Sequence, residues 1–551
     1  MNRCLQAPEI LQLICDQLPN GRNSDRQRLL AVALSCRALL EPALDRLWHT
    51  IYSIKPMTSI LPGDLWTKER KVGPNATKFT VLGLRRAIQS TDLDRYVAYY
   101  AQRIRVVDFG PALNRTFSPE AWRGLELATN WKHGALSPSA RKIVWTLTPL
   151  KQSVLPKEAL DQAFPYFSLF LGSKTTCLHV SFDSGVPIHV ASIRSAVNIP
   201  LELKELKLKD VGNFPTTFMG NYLKSFSWEK LEVLRIGNLP ADAISHLSTL
   251  PLLATIEVWA FRKLSRLYTY SVETDINNPP DHLAAIPDDA FRALQTLELN
   301  GNDIESVEAF VQYLPPKNQL RKFKCVLRSN PPTSRGLQDL IVTIRLHCDV
   351  RHLKKITIKG GHGLPAVEEK LYVQLEEGIN LGPLFVFNKL ESLTVSLPSI
   401  AVNLNGQDIN DISDGFPNLR KLKIDTDIYD SRIPLIDHKD LLKLLYDFGC
   451  LRKLGLRFNA TGITGQEQKP NSTYEQVPTP LEKLWVGDSP IYFPPAAADF
   501  FNAHSPKLQW LGIVTTPFQG PLPPENSPIM LYRRRWVDVR DHIIINTTDL
   551  V

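Results

Sequence analysis

Apolar residues recur along this chain in a six-position phrase, apolar-x-x-apolar-x-apolar, from residue 104 to residue 513. Leu203-x-x-Leu206-x-Leu208 shows it plainly. The alternation at its end places Leu206 and Leu208 on one face of a short strand, and Glu205, Lys207 and Lys209 on the other. The phrase opens at Ile104/Val107/Phe109, Ala140/Ile143/Trp145 and Thr175/Leu178/Val180, and after Leu203 returns at Leu231/Leu234/Ile236 and Leu253/Ile256/Val258. It continues at Leu294/Leu297/Leu299, Leu320/Phe323/Cys325, Leu353/Ile356/Ile358 and Leu390/Leu393/Val395. It closes with Leu419/Leu422/Ile424, Leu451/Leu454/Leu456, Leu481/Leu484/Val486 and Leu508/Leu511/Ile513. Successive phrases lie between 22 residues (Leu231 to Leu253) and 41 residues (Leu253 to Leu294) apart. One such strand cannot bury its apolar face alone, whereas a stack of them can.

Stretches with apolar residues three and four apart lie between the phrases: PEAWRGLELATNWKHG, ADAISHLSTL, SVEAFVQYL, RGLQDLIVTIRLH and HKDLLKLLYDF. Strand followed by helix, repeated, predicts an α/β fold. The expected architecture is an irregular leucine-rich-repeat solenoid over 104–515, with parallel strands on the concave face and helices outside. Residues 51–103 read as a linker, with TKERKVGPNATK an exposed polar loop and a connecting helix starting at Ser90. Residues 516–551 read as a C-terminal cap or tail, with Ile543–Ile545 as a final strand. The excursions 265–282, 360–378 and 459–480 are candidate binding loops, the last polar enough to be disordered.

Before the ladder, residues 4–50 read as three short helices. Ile10, Leu11, Ile14 and Leu18 give CLQAPEILQLICDQL an apolar face, with Pro8 in its first turn. A second helical run, DRQRLLAVALSCRALLEPALDRLW, starts at Asp25 and is apolar at Leu29, Leu30, Ala33, Leu34 and Cys36; Pro42 is expected to interrupt it, leaving a third short helix over Ala43–Trp48. So small a core is marginal alone, and a docking partner is expected. The segment resembles the F-box, the adaptor-binding motif of SCF-type ubiquitin ligases. The likeness runs through Pro8-Glu9-Ile10-Leu11, Ile14, Leu18, Leu30, Cys36-Arg37 and Leu47-Trp48; the proline stands one place later than in the usual leucine-proline opening. Fungal F-box proteins that carry leucine-rich repeats are similar over the longer chain. The resemblance implies that Pro8, Ile10, Leu11, Ile14, Leu18, Leu30 and Trp48 dock a Skp-type adaptor, and through it a cullin, while the repeats hold a target protein. A plain helical cap for the solenoid is the alternative for these residues, and a scaffold outside any ligase the alternative for the whole chain.

Composition adds limits. Lys and Arg number 64 against 56 Asp and Glu, a formal charge of +8 over 551 residues, too dilute to imply nucleic acid by itself. The alternate strand positions are richer in lysine. Lys207, Lys209, Arg235, Trp259, Lys322, Lys324, Lys421, Lys423, Arg457 and Trp485 are candidate target-binding residues for an acidic or phosphorylated partner, with Trp510 a further exposed anchor. The same lysines also serve simply to solvate an open sheet face. The seven cysteines are scattered without the spacing of a metal pair and read as reduced thiols. No leader-like opening and no long apolar run is seen, so cytoplasm or nucleus is expected and a membrane is not. HExxH, GxSxG, GxGxxG and P-loop patterns are missing, so no enzyme, cofactor or metal is expected.

Overall fold

The computed structural model describes residues 7–19, 23–73, 76–110, 113–146, 154–196, 202–212, 217–225, 228–261, 289–328, 333–360, 379–397, 402, 404–424, 426, 433–469, 477–513 and 527–548. Contacts divide the chain into two compact units, Met1–His246 with Leu250–Leu253, and Leu247–Thr249 with Ala254–Val551.

The first unit begins with α1 (Pro8–Asp16), α2 (Asn23–Ser35) and α3 (Arg37–Trp48). The expected break at Pro42 falls instead at Cys36, whose extended backbone (φ −159°, ψ 156°) separates α2 from α3. Pro42 lies inside α3 and is buried with Ala43. The strands that follow are β1 (Thr50–Ile51), β2 (Trp66–Val72), β3 (Lys78–Leu84), β4 (Val106–Phe109), β5 (Arg115–Phe117), β6 (Lys142–Trp145), β7 (Cys177–Phe182), β8 (Glu205–Asp210) and β9 (Val233–Ile236). Strands β1, β4, β6, β7, β8 and β9 form a parallel ladder in that order. The two-residue β1 carries no repeat phrase; it joins α3 directly to the ladder through Thr50 opposite Val106 and Ile51 opposite Val107.

The expected polar loop at 67–78 is largely strand. Its first residues continue β2, which pairs antiparallel with β3, and β3 in turn pairs with β5. Every residue of β2 after Trp66 is exposed, so the run carries no apolar period and only pairing with the KFTVLGL stretch makes it a strand.

The second unit holds β10 (Thr255–Phe261), β11 (Thr296–Gly301), β12 (Lys322–Leu327), β13 (Lys355–Gly360), β14 (Ser392–Ser396), β15 (Lys421–Ile424), β16 (Lys453–Gly455), β17 (Lys483–Trp485) and β18 (Trp510–Gly512), each parallel to the next. Pairing is in register on the second apolar residue of each phrase: Leu297, Phe323, Ile356, Leu393, Leu422, Leu454, Leu484 and Leu511 face one another in turn. Every position of the fourteen phrases is buried in the two units, including the weak leaders Ala140 and Thr175. Helices at Pro119–Ala128, Ala241–Ser248, Ile304–Val311, Ser334–His347 and His438–Asp447 fall where the periodicity put them. The register, the burial of the phrases and the strand–helix alternation make this an irregular α/β leucine-rich-repeat solenoid.

Residues 265–282 and 361–378 lie outside the described residues, as do 470–476 and 514–526. The start of the third excursion is packed: Ala460 and Ile463 are buried, and the Glu467 carboxylate accepts from the Thr464 and Gly465 N–H groups. A helix, Pro528–Thr548, replaces the expected strand at Ile543–Ile545. Ile529, Trp536, Val539 and Ile543 recur at helical spacing and are buried, which a strand reading of III alone could not anticipate. Trp536 packs on Phe458 and Phe501 and donates to the Ser489 carbonyl at 2.9 Å. Arg533 grips buried Asp488 at 2.7 and 3.1 Å.

Candidate functional site

The N-terminal helices close around small residues. Cys15, Ala33 and Ala43 form the centre, with Val32 and Leu39 packed against them, and Leu11 and Leu29 are also buried. Short side chains let the three helices approach, but they leave apolar surface uncovered. In α1 the inward pair is Leu11 and Cys15, while Ile10 and Ile14, also four apart, remain 38% and 42% exposed. In α2 the inward pair is Leu29 and Ala33, while Leu30 and Leu34 remain 47% and 74% exposed. Each helix thus carries two adjacent apolar stripes, one in the core and one in solvent. Pro8 is exposed in the first turn and Leu18 half-buried just past the end of α1.

This division sorts the predicted adaptor set. Leu11 and Trp48 are structural, and Pro8, Ile10, Ile14 and Leu30 face outward. Trp48 lies 4.7 Å from the Tyr100 ring and meets Tyr96 edge-on at 6.3 Å, and the Tyr96 hydroxyl donates to the Leu136 carbonyl. Arg103 pairs with both Glu41 and Asp45 of α3. Together with β1 these contacts couple the helices to the first rungs.

On the ladder face opposite the core, several of the predicted target-binding residues are paired across strands. Arg235 pairs with Glu205 on the neighbouring strand. Lys322 and Lys324 both reach Glu298 on β11, the latter at 3.0 Å. Burial works against the charge of Glu298, yet hydrogen bonds from the two ammonium groups hold its carboxyl below the usual range. Lys207, Lys421 and Arg457 are half-buried and Lys209 is exposed. Trp259 is half-buried, its indole N–H donating to Glu257 at 2.6 Å.

Lys423, expected in solvent, is 7% exposed. Its ammonium sits 4.8 Å from the centre of the Trp485 ring, and Trp485 lies 4.8 Å from Trp510. Two glycines make room for this stack. A Cβ on Gly455 would stand 2.6 Å from Lys423 Cγ, and one on Gly512 would stand 2.1 Å from the Trp510 ring. The sequence named the lysine and the tryptophans; the glycines that seat them carried no signal, because their meaning depends on the neighbouring strand. Beside the stack, Lys421, Lys453 and Lys483 face one another in register on three successive strands. At a spacing of about 4.8 Å, the row sets three like charges side by side.

No family model matches the chain, and no curated protein does. Among solved structures, the leucine-rich-repeat-containing protein LegL7 from Legionella pneumophila overlaps at 14% identity with TM-score 0.28, covering 65% of this chain and 97% of that one. A chain of the octameric complex of Latrophilin 3, Unc5D and FLRT2 overlaps at 10% identity with TM-score 0.25, covering 76% of this chain and 85% of that one. The strand register, not these overlaps, gives the chain its leucine-rich-repeat fold. Among the described residues, no helix is long and apolar enough to cross a membrane.

Proposed function

We propose that this protein is the substrate-recognition subunit of an SCF-type ubiquitin ligase, acting in the cytoplasm or nucleus. In this reading α1–α3 dock a Skp-type adaptor, which brings the cullin. The repeats hold a protein target, and the protein itself catalyses nothing. The observation that carries the reading is the pair of outward apolar stripes, Ile10/Ile14 and Leu30/Leu34, on helices whose core is already closed. A mere cap has no use for them, and helix-in-groove recognition does. The lysine row on β15–β17 and the Lys423–Trp485–Trp510 stack favour a target that is acidic or phosphorylated.

The test is capture of purified adaptor and cullin by wild type and by an Ile14→Asp/Leu30→Asp double variant. Leu11 is unsuitable as a probe because it is core. Burying the exposed half of Ile14 and Leu30 supplies about 1 kcal/mol each, and each buried aspartate adds a larger penalty. A loss of about a hundredfold or more in adaptor affinity is expected, with the circular dichroism unchanged. Wild type that captures neither protein would overturn the reading; capture of adaptor without cullin would point to a scaffold outside the ligase.

A further inference from the structure

Two neighbouring strands of the first unit bring a thiol, an imidazole and a carboxylate together on the face opposite the core. Cys177 and His179 alternate along β7 and so point the same way, and Glu205 opens β8 directly opposite Cys177. Cys177 Sγ lies 3.3 Å from His179 Nε2 and 3.5 Å from Glu205 Oε2, and His179 Nε2 lies 3.0 Å from Glu205 Oε1. One ligand atom from each residue falls within 4.8 Å of the other two. Ligand atoms sharing a tetrahedral zinc at bond lengths of 2.0–2.3 Å lie about 3.3–3.7 Å apart. The Cys177–His179 separation matches one edge of such a site, and Glu205, which meets the two partners through different oxygens, brings a single oxygen within 4.8 Å of both.

We propose that Cys177, His179 and Glu205 form a zinc site on the exposed face of the ladder, with a fourth position open to water. The donor set selects the metal: sulfur and imidazole nitrogen suit zinc, whereas magnesium and calcium take oxygen. The scaffold suits it too. All three side chains are half-buried, and two of them stand on one strand with the third held by the neighbouring backbone, so little ordering is needed on binding. Zinc is bound by the thiolate, so uptake is accompanied by release of the Cys177 proton. Lys142, Lys207 and Arg235 surround the cluster with positive charge. Thiolate and carboxylate together balance the dication, and Arg235 continues to pair with the Glu205 carboxylate beside it. The sequence concealed this trio, because a Cys-x-His pair completed by a glutamate 28 residues later matches no linear zinc motif.

The experiment uses the full chain, freed of metal by chelation, titrated with Zn²⁺ and separately with Co²⁺. One zinc per chain is expected, and cobalt should show a thiolate charge-transfer band with the strong visible bands of tetrahedral coordination. Cys177→Ser and Glu205→Gln should each weaken zinc binding by about a hundredfold and Cys177→Ser should abolish the charge-transfer band, while Cys450→Ser changes neither. His179→Gln serves as a third probe if the cysteine variant fails to fold. Zinc binding indifferent to all three substitutions, or wild type that takes up no zinc, overturns the proposal; neither result bears on adaptor capture.

Discussion

The C-terminal helix offers a sharp test of what holds the last repeats. The perturbation is Arg533→Met, which keeps an unbranched apolar stem but removes the guanidinium. In the native fold the Asp488 side chain is fully buried and Arg533 is 16% exposed, with two contacts between them at 2.7 and 3.1 Å. Removing one partner of a buried, bidentate pair leaves a desolvated carboxylate, at a cost of about 3–5 kcal/mol. At 1.4 kcal/mol per decade this is about two to three and a half powers of ten in the opening equilibrium. The helix also buries Ile529, Trp536, Val539 and Ile543, so the loss should appear as local opening rather than global unfolding. Amide hydrogen exchange over 528–543 reads it directly, and exchange there should accelerate by at least about a hundredfold. The double variant Asp488→Asn/Arg533→Met should recover most of the protection, because the buried charge is gone. Exchange in Arg533→Met within about threefold of wild type would refute the reasoning. So would a double variant as open as the single one, since the cause would then be lost packing rather than the buried charge.

Gly512→Ala should push Trp510 off Trp485, since the new methyl would stand 2.1 Å from one ring and 2.7 Å from the other. Near-ultraviolet circular dichroism should lose intensity and stability should fall by about 1–3 kcal/mol, while Gly449→Ala, with open space around it, changes neither. His189 is buried, its Nδ1 accepts from the Asp183 N–H, and burial depresses its pKa to about 4, with Asp161, Asp183 and Lys157 around it. Above the ordinary value near 6.5 both folded and unfolded forms are neutral there; as pH falls from 6.5 towards 4 only the unfolded chain takes the proton, so stability is lost across that window. Urea midpoints at pH 7 and pH 5 should differ more in wild type than in His189→Asn, and equal differences would remove histidine from the account.

The ladder was legible in the linear sequence because a repeated strand imposes one rule on every rung. Leu206 and Leu208 must face inward, and so must Leu422 and Ile424, so fourteen phrases vote for the same period. The two apolar helices at the N-terminus were legible for the same reason, as were the helices between strands. What the period could not show is which of two adjacent apolar stripes meets a neighbour. Ile10 and Leu11 look alike in sequence, and only the approach of α3 buries one and leaves the other in solvent. The hairpin at β2 was invisible because pairing with β3, not its own residues, makes it a strand.

Chemistry that arises between rungs escaped for a further reason. Lys423 looked like a solvated lysine until Gly455 on the next strand, and Trp485 on the one after, turned it into a buried partner of an aromatic ring. Cys177, His179 and Glu205 meet because parallel register sets residues 28 apart side by side. A periodic sequence by itself determines which face each residue occupies, since that follows from local backbone geometry. Only the tertiary structure decides which residues become lateral neighbours, because the loops between rungs vary in length and register is settled by the stacked core.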